Sequence, residues 1–262
     1  MSISFLVGKH RIRFAGKTDV GRVRDHNEDN LLLPTELPLA VVSDGMGGHA
    51  CGEVASKIAV ESVEEHYVRT NEESSPTWPL RLPQWQIERD RMTTAIKLAN
   101  MKIWGTSQAD ADKRGMGCTI EALFFSQGRF YIGHVGDSRV YRIRAAQISQ
   151  LTEDHSLFND YRRMREMAGE DEANFPHKNV VVRALGMTEH VYVDVIVDDY
   201  QANDVYVVCT DGLSGMISDR QIQDVVGTTE NLDNASNTLV KLANEAGGKD
   251  NITAVLARIE ST

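Results

Sequence analysis

The sequence contains few cysteines, and they form no pair of the kind found in zinc sites or dithiol redox sites. The three cysteines, Cys51, Cys118 and Cys209, are far apart in the chain and cannot all bridge one another. Cys118 and Cys209 lie within apolar, strand-like runs, where cysteine usually serves as a small core residue. A chain without a disulfide framework is typical of a reducing compartment, and we expect this protein to be cytoplasmic.

Long apolar runs are missing as well. No stretch of about 18 apolar residues occurs, so the sequence predicts no membrane-spanning helix. The apolar run at residues 3–7 is too short for the core of a signal peptide, and it is followed at once by Lys9, His10, Arg11 and Arg13. We therefore expect no membrane partner.

Positive charge is also scarce. The 28 lysines and arginines are outnumbered by 38 aspartates and glutamates, which gives a formal net charge of -10. A protein that binds nucleic acid needs a basic face for the phosphate backbone, so we expect no nucleic-acid partner. The length of 262 residues and the hydrophobic content of 41% suffice for a substantial core, and we expect a single domain over residues 1–262.

Hydrophobic periodicity predicts the order of strands and helices. Strands are expected at residues 11–20, 29–33, 39–43, 118–125, 129–135, 139–143, 147–151, 192–198, 205–210 and 251–259, and helices at 52–67, 87–104, 221–226 and 232–246. We expect the four strands between residues 118 and 151 to form one antiparallel meander. Runs of strands and pairs of helices, rather than alternating strand–helix units, predict an α+β fold with antiparallel sheets covered by helices.

The most informative motifs are acidic and stand beside glycines or at the ends of the strand-like runs. They read Arg24-Asp-His-Asn-Glu-Asp29, Asp44-Gly-Met-Gly-Gly-His49, Gly136-Asp-Ser-Arg139, Asp211-Gly212 and Lys249-Asp-Asn251. A sheet can bring such ends together, and their carboxylates then repel one another unless cations lie between them. Hard oxygen ligands select Mg²⁺ or Mn²⁺ rather than zinc. The sequence therefore predicts a carboxylate-lined site for magnesium or manganese.

These motifs can supply a site for two cations. Two divalent cations about 3.5–4 Å apart can share a water and make it a nucleophile at neutral pH. Asp44 is the expected bridge between the ions, and the backbone carbonyl of Gly45 is a further ligand because glycine leaves it accessible. Asp211 and Asp250 are expected to hold one ion. Asp44, Asp211 and Asp250 are thus the predicted catalytic residues.

Three residues of the first motif complete the predicted site. Glu28 and Asp29 are expected to hold the other ion or to orient its waters. Arg24 has a planar guanidinium that suits bidentate capture of a phosphate group in front of the nucleophilic water. The alternative for Arg24 is a structural ion pair with Glu28 or Asp29.

Taken in order, the motifs closely resemble those of the metal-dependent Ser/Thr protein phosphatases (PPM, or type 2C) in their bacterial form. The resemblance rests on Arg24-x-x-Asn-Glu-Asp29, Asp44-Gly-Met-Gly-Gly-His49, Gly136-Asp-Ser-Arg139, Thr210-Asp-Gly212 and Asp250-Asn-Ile-Thr253, and it covers roughly residues 14–259. It implies a four-layer α-β-β-α sandwich, in which two central antiparallel sheets are flanked by helix pairs and the metal site lies at one edge. It also implies hydrolysis of phosphoserine and phosphothreonine, without a phosphoenzyme, by water activated between two Mn²⁺ or Mg²⁺ ions.

The resemblance implies further features of the site and its partners. Asp137 with Asp211 would hold a weaker third ion, and residues 152–189 would form a flap beside the site. The partners would be phosphorylated proteins, with a Ser/Thr protein kinase and its substrates among them.

The chain departs from the family pattern at two places. Met46 stands where eukaryotic members have a histidine that is thought to protonate the leaving group, so metal-bound water and His49 are the candidates for that acid. After Asp211-Gly212 the family often has another acidic residue, whereas this chain has Leu-Ser-Gly-Met at 213–216. The predicted third site therefore rests on fewer carboxylates.

Several alternatives remain open. Asp-Gly pairs are mostly turns when they occur alone, and Asp137 with Arg139 could be a hairpin salt bridge. The chain could be a pseudophosphatase or binding module, although none of the core carboxylates is lost. It could also be a two-metal phosphodiesterase or nuclease, against which the acidic balance and the lack of an aromatic and basic groove speak.

Overall fold

The computed structural model describes residues 3–47, 51–71, 82–166 and 180–261. In these ranges the strands are β1 (Ile3–Val7), β2 (His10–Asp19), β3 (Asn30–Leu32), β4 (Leu39–Ser43), β5 (Gly45–Met46), β6 (Gly117–Cys118), β7 (Ile120–Ser126), β8 (Arg129–Val135), β9 (Arg139–Arg144), β10 (Gln147–Gln150), β11 (Asp194–Asp199), β12 (Val205–Cys209) and β13 (Ile252–Ser261). The helices are α1 (Gly52–Thr70), α2 (Gln84–Ala109), α3 (Leu157–Glu166), α4 (Asp211–Ser214), α5 (Asp219–Thr228) and α6 (Leu232–Glu245), with a short 3₁₀ helix at Ala111–Lys113. None of the helices in the described ranges combines the length and the apolar character that a membrane span needs.

Periodicity does not predict β1, β5, α4 or the 3₁₀ helix. β1 pairs antiparallel with β2 through a tight turn, with Val7 opposite His10. Its alternation is masked in the sequence because an apolar residue, Leu6, occupies an exposed position. α4 is a single turn, which is too short to show a helical repeat.

The strands form two large sheets. One sheet has six strands in the order β1-β2-β13-β12-β9-β10, and the other has five strands in the order β11-β8-β7-β4-β3. Neighbouring strands run antiparallel in both sheets. β5 and β6 form a separate small ribbon, in which Gly45 lies opposite Cys118.

Apolar clusters hold four layers together. Alternate residues of β13 show the arrangement, since Val255 and Ala257 join the cluster between the two sheets whereas Ala254 and Leu256 join the cluster beneath α5 and α6. A third cluster lies between the five-stranded sheet and the helices α1 and α2. Each fully buried aliphatic side chain contributes about 1.5–3 kcal/mol. The predicted α+β fold, with two antiparallel sheets flanked by helix pairs, is confirmed.

The predicted meander is wrong, because the chain changes sheets in the middle of it. β7 and β8 pair within the five-stranded sheet, whereas β9 and β10 pair within the six-stranded sheet. The change occurs at Gly136, whose φ is +125° and whose position leaves no room for a side chain, since a Cβ there would lie 2.5 Å from Cγ2 of Thr119. Two strands joined by a tight turn usually pair with each other in one sheet. Hydrophobic periodicity alone therefore does not reveal that β8 and β9 belong to different sheets.

Both sheets end at the same edge of the sandwich, and the acidic motifs are located there. Asp44 follows the last residue of β4, and Asp137 follows β8 by two positions. Asp211 follows β12, and Asp250 precedes β13 by two positions. The register of the sheets places these strand ends side by side, with Cys209 opposite Ala254.

Candidate metal centre

A cleft of about 390 Å³ opens at this edge. Its lining includes six of the predicted metal ligands and the predicted phosphate-binding residue, namely Glu28, Asp44, Gly45, Asp137, Asp211, Asp250 and Arg24. Its other lining residues are Met46, Gly47, Thr119 and Val181. The fold therefore brings together residues that are separated by most of the chain.

Asp44 is held through its backbone by Thr119. The Asp44 amide donates to Oγ1 of Thr119 at 3.0 Å, and the Thr119 amide donates to the Asp44 carbonyl at 2.8 Å. The next residue, Gly45, packs closely against the chain, since a Cβ there would lie 2.2 Å from the carbonyl oxygen of Gly52 and 2.6 Å from that of Glu28. The Asp44-Gly45 step is thus fixed by its neighbours and tolerates only glycine at the second position.

Asp29 lies behind the cleft rather than in its lining, and its side chain is only 6% exposed. Its Oδ2 accepts hydrogen bonds from Oγ1 of Thr210 at 2.9 Å and from Oγ1 of Thr253 at 2.6 Å. Its other oxygen, Oδ1, is buried without a hydrogen-bond partner. A buried carboxylate oxygen without a donor is costly unless a cation or ordered water satisfies it.

Asn251 joins the first and last motifs. Its Oδ1 accepts from the Glu28 amide at 2.8 Å, and its Nδ2 donates to the carbonyls of Val20 and His26, each at 2.9 Å. The adjacent Asp250 accepts a hydrogen bond of 2.7 Å from Nη2 of Arg24. Arg24 pairs with Asp250, so the alternative ion pair with Glu28 or Asp29 is not observed.

Burial and mutual repulsion perturb the carboxylates of the cleft. Burial, followed by the charges of neighbouring carboxylates with Asp29 first, raises the pKa of Asp44 well above its usual value. Burial and the charge of Asp250 likewise raise the pKa of Asp211, whereas an interaction with the Asp44 side chain lowers it. Neighbouring carboxylates of this kind are stabilised when a proton or a cation lies between them.

Two further carboxylates show the same effect. Burial raises the pKa of Asp29 to about 7, against the hydrogen bonds from Thr253 and Thr210, which lower it. Burial and the nearby Asp211 raise the pKa of Asp137 to about 7. The cleft is therefore a region of strongly negative potential that favours cations.

The donor set fits hard divalent cations. It consists of carboxylate and carbonyl oxygens, which suit Mg²⁺ and Mn²⁺, with an unsatisfied buried oxygen at Asp29 and a carboxyl–carboxyl contact between Asp44 and Asp211. Among the described residues, no three His, Cys, Asp or Glu side chains are gathered closely enough to hold an ion as they stand. Divalent cations bound between these carboxylates would offset their mutual repulsion.

Arg139 does not pair with Asp137, so the hairpin salt bridge between them is wrong. Its guanidinium instead forms a bidentate pair with Asp154, with Nε 2.9 Å from Oδ1 and Nη2 2.6 Å from Oδ2. A second cavity of about 540 Å³ extends from Asp137 and Asp211 to α3, where Asn159 and Arg162 line it. This cavity is continuous with the predicted site through the two aspartates that both cavities share.

Part of the prediction concerns residues outside the described ranges. His49, one candidate for the general acid, belongs to them, and so do residues 167–179 of the predicted flap. The described part of the flap consists of residues 152–166, which include α3, and residues 180–189. The two segments meet just before α3, where Ser156 bridges Val181.

The residues that sequence reasoning missed are neutral side chains that hold the acidic ones. Thr119, Thr210, Thr253 and Asn251 each bind the backbone or carboxylate of a predicted site residue. Thr210 immediately precedes Asp211, and Asn251 and Thr253 shortly follow Asp250, so all three lie within the motifs quoted above. Their position beside a predicted metal ligand in the sequence could have identified them as its supports. Thr119 has no such neighbour in the sequence.

Known protein families and known proteins are similar in sequence to this chain over nearly its whole length. A family model described as Protein phosphatase 2C matches residues 22–257. A serine/threonine phosphatase stp of Listeria monocytogenes serotype 4b is 35% identical to this chain over 253 residues, which cover 94% of this chain and 95% of the Listeria protein.

Solved structures are similar as well. The serine/threonine phosphatase of S. agalactiae has a TM-score of 0.84 and 33% identity, covering 95% of this chain and 100% of its own. The catalytic domain of the serine threonine protein phosphatase PstP in complex with 2 manganese ions has a TM-score of 0.77 and 29% identity, covering 95% of this chain and 98% of its own. The chain belongs to the protein phosphatase 2C family of serine/threonine phosphatases.

Proposed function

We propose that the protein removes phosphate from phosphoserine and phosphothreonine in other proteins, using water activated between two divalent cations, Mn²⁺ or Mg²⁺. The observation that carries this proposal is the gathering of Asp44, Asp211 and Asp250 with Arg24 in one cleft. Perturbed carboxylates beside an exposed guanidinium supply a site for cations and a site for a phosphate anion next to each other.

The carboxylates are proposed to divide the binding of the cations. Asp44 would bridge them, with the Gly45 carbonyl as a further ligand, and Asp211 and Asp250 would hold one of them. Glu28 and Asp29 would serve the other ion, Asp29 from its buried position behind the cleft. When bound, the two ions supply a water of lowered pKa and offset the negative charge that develops on the phosphate.

The substrate is proposed to meet Arg24 first. The side chain of Arg24 is 49% exposed, so part of its fork faces solvent while Nη2 is bound to Asp250. A guanidinium in this position suits bidentate binding of a phosphate monoester. The polypeptide on either side of the phosphorylated residue would extend toward the cavity beside α3.

The proposed partners are phosphorylated proteins, and the proposed role is to oppose one or more Ser/Thr protein kinases in the cytoplasm. Relatives named serine/threonine phosphatase stp and PhpP support the substrate class. The acidic composition offers no basic face for a nucleic acid.

The proposal is tested by comparing three substrates with and without Mn²⁺. We expect hydrolysis of p-nitrophenyl phosphate and of phosphoserine and phosphothreonine peptides, with loss of both activities in chelator. We expect little hydrolysis of bis(p-nitrophenyl) phosphate, a phosphodiester. Preferential cleavage of the diester would favour a phosphodiesterase, and Mn²⁺ binding without hydrolysis of any substrate would favour a binding module.

A further inference from the structure

His155 is a buried residue that contacts the turn carrying Asp137. Its backbone amide donates to the Gly136 carbonyl at 2.7 Å, and its ring Nδ1 accepts from the Gly136 amide at 3.0 Å. Both backbone hydrogen-bonding groups of Gly136 are therefore bound by His155. The His155 carbonyl in turn accepts from the amide of Val182 at 2.9 Å, which joins this turn to the far end of the flap.

The opposite side of the same turn is held by Thr119. Gly136 packs directly on Thr119, and Oγ of Ser138 is 2.8 Å from Oγ1 of Thr119. Thr119 also holds the backbone of Asp44. Asp137 stands between Gly136 and Ser138, so its position relative to Asp44 depends on Thr119 on one side and on His155 on the other.

Both nitrogens of the His155 ring have polar partners. Nδ1 accepts from the Gly136 amide, whereas Nε2 faces two groups at 2.8 Å, Oδ2 of Asp194 and Nη1 of Arg183. Nη1 of Arg183 also lies 3.3 Å from the same Asp194 oxygen. Burial and the neighbouring charge of His134 lower the pKa of His155 to about 4, so the ring is neutral near pH 7.

The His155 ring packs against charged side chains of the five-stranded sheet. Glu121, His134 and Asp194 stand directly opposite one another on the adjacent strands β7, β8 and β11. His134 binds Glu121 at 2.5 Å with both side chains inaccessible to solvent, and its ring stacks on His155 with a centroid distance of 4.3 Å. Burying such a pair costs desolvation energy and does little for net stability, so an orienting role is a physical reason for its presence.

From these contacts we propose that His155 is a positioning residue, which sets Asp137 relative to Asp211 for the weaker cation and fastens the flap to the same turn. The inference rests on the proposed function, because the weaker third cation that the resemblance implies would share Asp211 with the proposed two-cation site. Asp137 lies between Gly136 and Ser138 in a tight turn, and the His155 ring that binds this turn is itself held by Asp194, Arg183 and His134.

The test measures Mn²⁺ binding to the full chain by the electron paramagnetic resonance of free Mn²⁺, together with the melting temperature. Three variants separate the contacts of the ring. His155→Asn keeps an oxygen near the position of Nδ1 for the Gly136 amide, His155→Gln keeps a group that reaches Asp194, and His155→Ala removes both.

We expect His155→Ala and His155→Gln to weaken the weakest Mn²⁺ site by about tenfold or more, as loss of an orienting partner usually does. His155→Asn should stay closer to the native affinity, and the two tighter ions should bind unchanged in all three variants. A merely structural role would instead lower the melting temperature and leave the weak site unchanged.

Two aspartates of β11 provide a matched control that leaves His155 in place. Asp194→Ala removes the acceptor for the imidazole and should weaken the weakest site, and Asp194→Asn should restore most of the affinity. Asp199, on the same strand, pairs with Arg129 at 3.1 Å at the other end, and Asp199→Ala should have no effect on Mn²⁺.

An unchanged weak site in His155→Gln and Asp194→Ala would overturn the inference, and so would a native protein that binds only two ions. Failure of the proposed function gives a different result, since the native protein would then bind no Mn²⁺ or would bind it without hydrolysing any phosphate ester.

Discussion

Arg24 donates a hydrogen bond of 2.7 Å from Nη2 to Oδ2 of Asp250, which ties the proposed phosphate-binding residue to a proposed metal ligand. Both side chains are partly solvent-exposed, at 49% and 37%, so the pair contributes little to stability. A cation on Asp250 would compete for the same carboxylate and release the guanidinium toward the phosphate. If the proposed roles hold, the pair would couple the binding of metal to the binding of substrate.

Arg24→Ala should raise KM for a phosphopeptide by about 10- to 100-fold, because a charge-assisted hydrogen bond contributes about 1.5–3 kcal/mol. The affinity for Mn²⁺ should be unchanged or slightly higher, since the variant removes a competitor for Asp250. Steady-state kinetics and a Mn²⁺ titration measure the two effects. Arg24→Lys, which keeps the charge and loses the fork, should show an intermediate KM, and native values of both KM and kcat in the alanine variant would rule out this role.

Asp44→Asn should abolish turnover, because it removes the charge of the carboxylate on which both ions depend. Asp137→Asn is the matched control, and it should leave the two tighter ions bound. Hydrolysis of p-nitrophenyl phosphate and a count of bound Mn²⁺ distinguish the two variants. Near-native turnover in Asp44→Asn is the result that contradicts the binuclear assignment.

Thr253→Val should destabilise the protein by about 1–3 kcal/mol, since it leaves the buried carboxylate of Asp29 with one hydrogen bond fewer. Urea unfolding in chelator measures this change. Thr238→Val is the control, because the hydroxyl of Thr238 donates to the Asn234 carbonyl within α6 and does not bind a predicted site residue. Its effect should stay within about 0.5 kcal/mol, and an equal loss in both variants would remove the special role of Thr253.

The metal-free protein should lose stability as the pH rises. The pKa of Asp29 is raised from 3.8 to about 7, and the pKa of Asp137 is raised to about 7 as well. The native state therefore binds more protons than the unfolded state between about pH 4 and 7, and the contribution of these groups is complete below this window and lost above it. Melting curves in chelator should give a lower Tm at about pH 8 than at about pH 5.5, by about 2–4 °C for each kcal/mol lost.

Mn²⁺ should reverse this dependence, because the ions replace the protons. A ligand that binds only the native state stabilises it by about 2.7 kcal/mol at one hundred times its Kd. We expect Mn²⁺ to stabilise the protein more at the higher pH, because the carboxyl groups there have no proton to release before they bind the ion. A Tm that is indifferent to both Mn²⁺ and chelator would count against a cluster of carboxylates formed by the fold.

The sequence alone predicts the strands that end beside the acidic motifs. The buried run at 39–43 predicts β4 with its observed bounds, and a carboxylate at the end of such a run is placed at the edge of a sheet. The resemblance supplied the rest, since neither periodicity nor spacing states which two sheets those edges belong to. The residues assigned to the metals remain predictions; all of them except Asp29 line one cleft.

Sequence patterns did not predict the contacts between residues that are far apart in the chain. The crossing at Gly136 looks like an ordinary hairpin turn in the sequence, and only the position of Thr119 behind it explains why a glycine with positive φ stands there. The ion pair of Arg24 with Asp250 joins residues at opposite ends of the chain, and local charge patterns favour the nearer Glu28 and Asp29. Pairing across such distances depends on the docked sheets.

The position of β13 has a consequence for how the site forms during synthesis. β13 lies between β2 and β12 in the six-stranded sheet, yet it follows both of them along the chain. While a ribosome is still producing residues 211–250, Asp44 and Asp211 are already made but the strand that separates β2 from β12 is not. The nascent chain can therefore form only the half of the cleft that the five-stranded sheet carries, and we expect Asp211 and Asp250 to join it in one step as β13 inserts.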